Sequence, residues 1–183
     1  MTLLHRMKTE IRPKLAQELG IKNHLAVPRL FKVTLNVGLG SLRKVSNLTE
    51  TIAKDLERIA GQKPILRRAR KAIAGFKLRQ GEPIGLSVTL RGQRMHDFIE
   101  RLVRITLPRI RDFRGLSLSN FDRKGNYTFG IREHTVFPEI DHESVSQFYG
   151  LSVALTTSAH TNAEGETLLR ALGLPLAQPQ GDK

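Results

Sequence analysis

Cysteine and tryptophan are both absent from the 183 residues. Without a thiol there is no disulfide framework, no cysteine nucleophile and no zinc ribbon, so the fold must hold by core packing. Aromatic residues make up only 5% of the chain, which argues against a domain that stacks single-stranded bases on a row of rings. Acids are scarce: 17 Asp and Glu stand against 30 Lys and Arg, a net charge of +13. Long apolar runs are missing too. The longest charge-free stretch, 144–163, is full of Ser, Thr, Gln, His and Asn and does not read as a bilayer span. Arg6, Lys8 and Glu10 leave no room for the apolar segment of a secretory leader. The expected location is therefore the cytoplasm, with no membrane partner, and the sequons at Asn47 and Asn126 carry no weight there.

What is present is a foldable balance of 39% hydrophobic and 26% charged residues. That is enough core for one domain of this length, and no repeat or linker interrupts it. The expectation is a single domain over 1–183. The excess of cations excludes an ordinary neutral metabolic enzyme as a first reading and points to a polyanion, nucleic acid before membrane. The charge is uneven: residues 1–62 carry a net +6, residues 63–114 a net +10 and residues 115–183 a net −3. From Lys63 to Gly81 there are seven Lys and Arg and not one acid. A balanced charge run is usually just a solvated face; an unbalanced one in a folded domain reads as a polyanion site.

Met7, Ile11, Leu15 and Leu19 recur every four residues, which predicts an amphipathic helix ended at Gly20. Pro13 within it either breaks the helix or opens a second one. Strict alternation over Arg29–Val37 predicts a half-buried strand, with Phe31, Val33, Leu35 and Val37 inward and Lys32, Thr34 and Asn36 outward. Leu48, Ile52, Leu56 and Ile59 form the stripe of a second helix, capped around Ser46 and Asn47 and stopped by Gly61. Residues 64–69 read as a short strand. Residues 72–85, with three glycines and a proline, read as a protruding basic loop. Residues 86–91 alternate again, with Ser87, Thr89 and Arg91 outward. A helix from Gly92 carries Met95, Phe98, Ile99, Leu102 and Ile105 inward. Strands follow at 127–133 and 151–157. Thr161 and Glu164 have capping-box spacing for a last helix carrying Leu168, Leu169 and Leu172, and the tail 175–183 reads as frayed.

These strands share one aliphatic face. The other face bears Lys32, Thr34, Asn36, Ser87, Thr89, Arg91, Thr128, Arg132, Ser152 and Thr156. The expected fold is α+β: an antiparallel-rich sheet with helices packed on one face and the other left open for RNA. Short hydroxyls and amides suit sugar and phosphate oxygens, and the cations supply a salt-dependent attraction. Recognition of a folded RNA fits better than base stacking, with Lys63, Arg67, Arg68, Arg70 and Lys71 on its backbone. Phe76 in the basic loop either stacks on RNA or anchors the loop; the residues leave both open. The helix from Gly92 pairs Arg94, Arg101 and Arg104 with Asp97 and Glu100, a poor groove reader.

Catalytic patterns mostly fail. Gly38-Leu-Gly40 follows a strand as a dinucleotide-binding turn would, but Arg43 takes the third glycine's place and no ribose-binding acid is set up. P-loop, HExxH and GxSxG patterns are missing. His134 and His142 bracket Glu139 and Asp141, which reads as a polar loop rather than a metal site. No enzyme activity, cofactor or metal is expected. Two other readings compete: a generic RNA chaperone or RNA-binding module, and a nucleotide-dependent enzyme at the Gly38–Gly40 turn.

The residues also resemble a known family. Val27-Pro-Arg-Leu, Leu35-Asn-Val-Gly-Leu-Gly40, Gly61-Gln-Lys-Pro64, Ala69-Arg-Lys-Ala-Ile-Ala-Gly-Phe-Lys-Leu-Arg-Gln-Gly81 and Val88-Thr-Leu-Arg-Gly92 occur in the order of bacterial large-subunit ribosomal protein L5. Pro83-Ile-Gly85, Leu107-Pro-Arg-Ile-Arg-Asp-Phe-Arg-Gly115, Gly125-Asn-Tyr127 and Phe137-Pro-Glu-Ile140 continue the match, which covers about residues 3–176. The resemblance implies a structural protein of the central protuberance that anchors 5S rRNA and touches 23S rRNA and neighbouring large-subunit proteins. It implies 5S contacts at Asn36, Gln62 and Thr89. It implies contact of the 72–81 loop, through Gly75, Phe76, Lys77, Arg79 and Gln80, with peptidyl-site tRNA. It further implies a bridge to a small-subunit head protein, for which Arg109, Arg111, Arg114, Glu139 and Asp141 are the candidates. The chain departs from the family's Phe-Asp-Gly-Arg-Gly-Asn-Tyr, reading Phe121-Asp-Arg-Lys-Gly-Asn-Tyr127, so a different φ is expected at Arg123. His142, residues 144–149 and the tail beyond Leu174 depart as well.

Overall fold

A computed structural model describes residues 2–40, 48–141 and 147–177. Helix α1 (Leu3–Arg6) leads through a widened turn, Met7–Ile11, into α2 (Arg12–Glu18). Strand β1 (Leu30–Gly38) and helix α3 (Leu48–Ala60) follow, then β2 (Ile65–Arg68) and β3 (Pro83–Leu90). Helix α4 (Gly92–Arg101), β4 (Tyr127–Ile131), β5 (Leu151–Thr157) and α5 (Asn162–Ala171) complete the order. The strands form one sheet in the order β2-β3-β1-β5-β4. β2 and β3 are antiparallel, with Ile65 opposite Ser87 and Arg67 opposite Gly85. The end of β1 meets the start of β3, where Leu39 N–H bonds Ile84 O at 3.0 Å. Its start meets the end of β5, where Ser158 N–H bonds Arg29 O at 2.9 Å. Both joints mark antiparallel neighbours. The fold is thus α+β with an antiparallel sheet, as the patterns predict. Among the described residues no helix is long and apolar enough to cross a membrane.

By contacts the chain divides into two compact units. The first comprises Met1–Val33, Arg91–Phe129 and Ala154–Lys183. Leu3, Met7, Ile11 and Leu15 are its N-terminal stripe, whereas Leu19 is half-buried. A spacing of four drifts around a helix of 3.6 residues per turn, and the widened turn at Met7–Ile11 absorbs that drift. The same turn precedes Pro13, whose ring would crowd the carbonyl four residues back in a regular helix, so Pro13 opens α2 instead of breaking the chain. α1's first N–H is held by Glu100 Oε2 at 3.1 Å. After α4 a second widened turn, Leu102–Thr106, shifts the inward register. Thr106 is fully buried there and Ile105 is 42% exposed, which corrects the expected stripe.

Around β4 the first unit closes by side-chain hydrogen bonds. Asp122 Oδ1 accepts N–H groups of Lys124 and Asn126, both at 2.8 Å. Burial raises the Asp122 carboxyl, but the Asn126 side chain, those two N–H groups and the Lys124 charge together hold it below its ordinary value. The turn needs no left-handed residue at Arg123; the positive φ falls at Gly125. Gly165 of α5 has to lack a side chain, because a Cβ there would stand 2.6 Å from Gly125 O. Thr161 Oγ1 accepts Glu164 N–H, while Glu164 Oε2 reaches one residue beyond the expected box, to His160 N–H at 2.8 Å. The tail does not fray at Pro175 as expected: Leu116 N–H bonds Pro175 O and Ala177 N–H bonds Leu116 O, with Leu176 buried. Residues 178–183 lie outside the described residues.

The second unit comprises Thr34–Leu90 and Gly130–Val153. Leu48, Ile52, Leu56 and Ile59 are buried as α3's stripe predicts, and α3 packs on β3. Burying each such side chain stabilises by about 1.5–3 kcal/mol relative to exposure. The expected cap at Ser46 and Asn47, like Arg43 and His142, falls outside the described residues. His134 is buried and its ring stacks on Tyr149, centroids 3.8 Å apart. The Tyr149 hydroxyl donates to Asp55 Oδ2 at 3.4 Å, tying the segment before β5 to α3.

Candidate nucleic-acid interface

Alternation along the strands sets which side chains reach water. In the second unit Leu35, Val37, Leu86, Val88 and Leu90 are buried, while Asn36 and Thr89 are exposed and Thr34 is half-buried. In the first unit Val33, Tyr127, Phe129 and Leu155 are buried, with Lys32 and Thr156 half-buried and Thr128 exposed. One register is sealed and the other is open to solvent. Two residues break the expected pattern. Phe31 is 44% exposed, because the strict alternation begins only at Lys32 and Leu30 takes the buried place; Arg29 sits over its ring, 5.4 Å from the centroid. Ser87 is only 6% exposed although it belongs to the open register, because an arginine side chain covers it.

The second unit gathers most of the predicted RNA-binding residues. Gln62 Nε2 donates to Thr89 O at 3.3 Å, so the turn after α3 is tied to the end of β3 and these two residues are neighbours. Lys63, Arg67, Arg68, Arg70 and Lys71 are all exposed. Arg67 Nε donates to Ser87 Oγ at 2.7 Å, and Arg68 Nη1 donates to Gly81 O at 3.0 Å. Lys32 and Arg91 belong to the first unit, where Arg91 Nη1 bonds Phe31 O at 3.4 Å. The helix arginine Arg104 pairs with Glu100 at 2.8 Å.

The segment expected as a loop over 72–85 is more structured than that. Pro83–Gly85 already belong to β3. Ala69 N–H bonds Glu82 O at 2.8 Å and Gly81 N–H returns to Ala69 O at 2.9 Å. Higher up, Ile73 and Leu78 exchange both backbone hydrogen bonds, at 3.0 and 3.2 Å. A short helical turn, Ala74–Phe76, makes the tip, and Lys77 closes it in the left-handed region at φ +49°. The segment is a hairpin that continues the β2–β3 pair. Phe76 is 73% exposed at its tip, and Gly75, Lys77, Arg79 and Gln80 are exposed beside it.

The bridge candidates divide between the units. Arg109, Arg111 and Arg114 are exposed in the first, where Asp112 takes φ +53°; Asp141 is exposed and Glu139 half-buried in the second. At Gly38–Gly40, β1 lies between two antiparallel neighbours, so the parallel βαβ unit that a dinucleotide turn requires is not built there. Among the described residues no three His, Asp or Glu side chains stand where they could hold a metal ion.

Sequence reasoning missed two features of this surface: the Arg67–Ser87 contact and the exposure of Ile65 on β2. Both follow from the β2–β3 register, and a bulge between Arg67 and Arg68 hides that register from simple alternation.

Comparison with known proteins gives a consistent result. The family described as Ribosomal protein L5 matches residues 23–79, and the model for the C-terminus of the same ribosomal family matches residues 83–176. The large ribosomal subunit protein uL5 of Synechocystis sp. is 51% identical over 177 residues, covering 94% of this chain and 98% of that protein. The protein of the same description from Halothermothrix orenii is 49% identical over 176 residues, covering 96% and 98%.

Proposed function

The chain belongs to the ribosomal protein L5 family, and from that premise we propose that it anchors 5S rRNA on the large ribosomal subunit through the open register of its sheet. As a member it is a structural, non-enzymatic constituent of the large subunit in the cytoplasm. The observation that carries the 5S assignment is the exposure of Asn36 and Thr89 on strands whose alternate residues are sealed. An amide and a hydroxyl standing free on a rigid strand match sugar and phosphate oxygens of a folded RNA. Gln62, held on Thr89 O, and Thr34 extend the same surface in the second unit. Lys63, Arg67, Arg68, Arg70 and Lys71 supply the long-range attraction of the second unit; in the first unit Lys32 and Arg91 are assigned to RNA in their own right. The single-domain reading of 1–183 stays part of this proposal.

The hairpin tip, with Gly75, Phe76, Lys77, Arg79 and Gln80, is assigned to peptidyl-site tRNA. A preformed tip carrying a ring and cations suits a nucleobase face and its flanking phosphates. Arg109, Arg111, Arg114, Glu139 and Asp141 are assigned to the small-subunit head protein, and the remaining basic surface to 23S rRNA and neighbouring large-subunit proteins.

The test is a titration of a 5S rRNA transcript with the full chain across salt concentrations. Log affinity is expected to fall linearly with log salt, by about 0.7–0.9 for each phosphate neutralised. Binding that is insensitive to salt, or no preference for 5S rRNA over an unrelated folded RNA, contradicts the assignment.

A further inference from the structure

Arg67 is a surface arginine with an unusual seat. Its cross-strand partner is Gly85, which offers no side chain, so the arginine stem can lie over β3. Gly85 is held to that identity, since a Cβ would stand 2.9 Å from Val37 O of the next strand. Two residues further along β3, on the same side of the sheet, Ser87 waits with its hydroxyl. The guanidinium Nε donates to that oxygen at 2.7 Å. Ser87 is thereby sealed at 6% exposure while Arg67 stays exposed.

A guanidinium has five N–H donors in a rigid plane. With the Nε donor committed to Ser87, the plane is fixed and the remaining donors all sit on Nη1 and Nη2. That outer edge is the one that grips a phosphate with two parallel hydrogen bonds. A free arginine must freeze its side chain when it binds; one already frozen does not, and gains affinity accordingly. We propose that Ser87 is a positioning residue: it presets Arg67 so that the Nη edge meets a backbone phosphate of the bound RNA. The role rests on the RNA reading given above and adds to it a residue that itself touches no RNA.

The experiment is a salt-resolved titration of 5S rRNA with the wild-type chain, Ser87→Ala, Ser87→Thr, Arg67→Ala and the double variant Ser87→Ala/Arg67→Ala. Urea unfolding establishes that each is folded. Ser87→Ala is expected to bind about 3- to 10-fold more weakly with the wild-type salt slope, because no charge is lost. Arg67→Ala should lower the slope by about 0.7–0.9. The double variant should bind no more weakly than Arg67→Ala, since the hydroxyl acts only through the guanidinium. Ser87→Thr, which keeps the hydroxyl, should restore affinity. Wild-type affinity in Ser87→Ala overturns the role, and so does a loss that persists undiminished in the Arg67→Ala background. If the wild-type chain itself leaves the transcript unbound, the RNA reading falls and this role with it.

Discussion

Tyr149 ties the segment before β5 to His134 and to α3. Its ring lies on His134, its hydroxyl donates to Asp55 on α3, and its carbonyl accepts His134 N–H at 3.1 Å. Burial first, and then the charge of Asp55 and the hydrogen bond to it, push the Tyr149 phenol well above its ordinary value. The folded state therefore keeps a proton that the unfolded chain gives up near pH 10. The sign follows: this contribution is complete below about pH 10 and is lost as pH rises beyond it. Tyr127, buried in the first unit, is shifted the same way. Urea unfolding between pH 9 and 11 should thus show stability falling with pH, and Tyr149→Phe should flatten that fall by roughly 1 kcal/mol per pH unit at most. An unchanged slope in the variant would detach Tyr149 from this role. At this scale the sequence is legible only in part. Asn36 and Thr89 can be placed by counting alternate residues. Ser87 cannot, because what buries it is a side chain from another strand, and Phe31 cannot, because its strand begins a residue out of phase.

Elements are more legible than residues where the periodicity is unbroken. α3 and β5 match their expected stripes because a regular helix or strand repeats one local geometry. The helix after Gly92 departs where a widened turn shifts its inward face, whereas in the N-terminal helix such a turn keeps a spacing of four buried through Leu15, and that spacing is the trace it leaves. The hairpin over 69–82 escaped the composition argument, since its glycines and cations read as loop. Its order comes from paired backbone groups and a tight tip, which depend on one costly residue. Lys77 holds a left-handed conformation that costs an L-residue about 1–2 kcal/mol. Lys77→Gly should relieve that strain and slow hydrogen exchange at the Ile73 and Leu78 amides, whereas Lys77→Val should speed it. Faster exchange in the glycine variant would mean that Lys77 contributes more to the tip through its side chain than its backbone costs.

At the scale of the whole molecule, composition constrains function before it constrains fold. A net charge of +13 without cysteine selects a polyanion partner, and the acid-free run from Lys63 to Gly81 locates the densest charge. Family membership then specifies the large ribosomal subunit. The division into two compact units has no trace in the sequence, because each unit is assembled from separate stretches of chain and no linker marks the boundary. The account depends on an uncovered β register as the grip on 5S rRNA. The most direct test is the 5S affinity of Asn36→Ala and of Thr89→Ala, each with its unfolding curve. The account predicts unaltered folding and a loss of about 1–3 kcal/mol in binding for each. Wild-type affinity in both variants would contradict it and move the RNA to another surface.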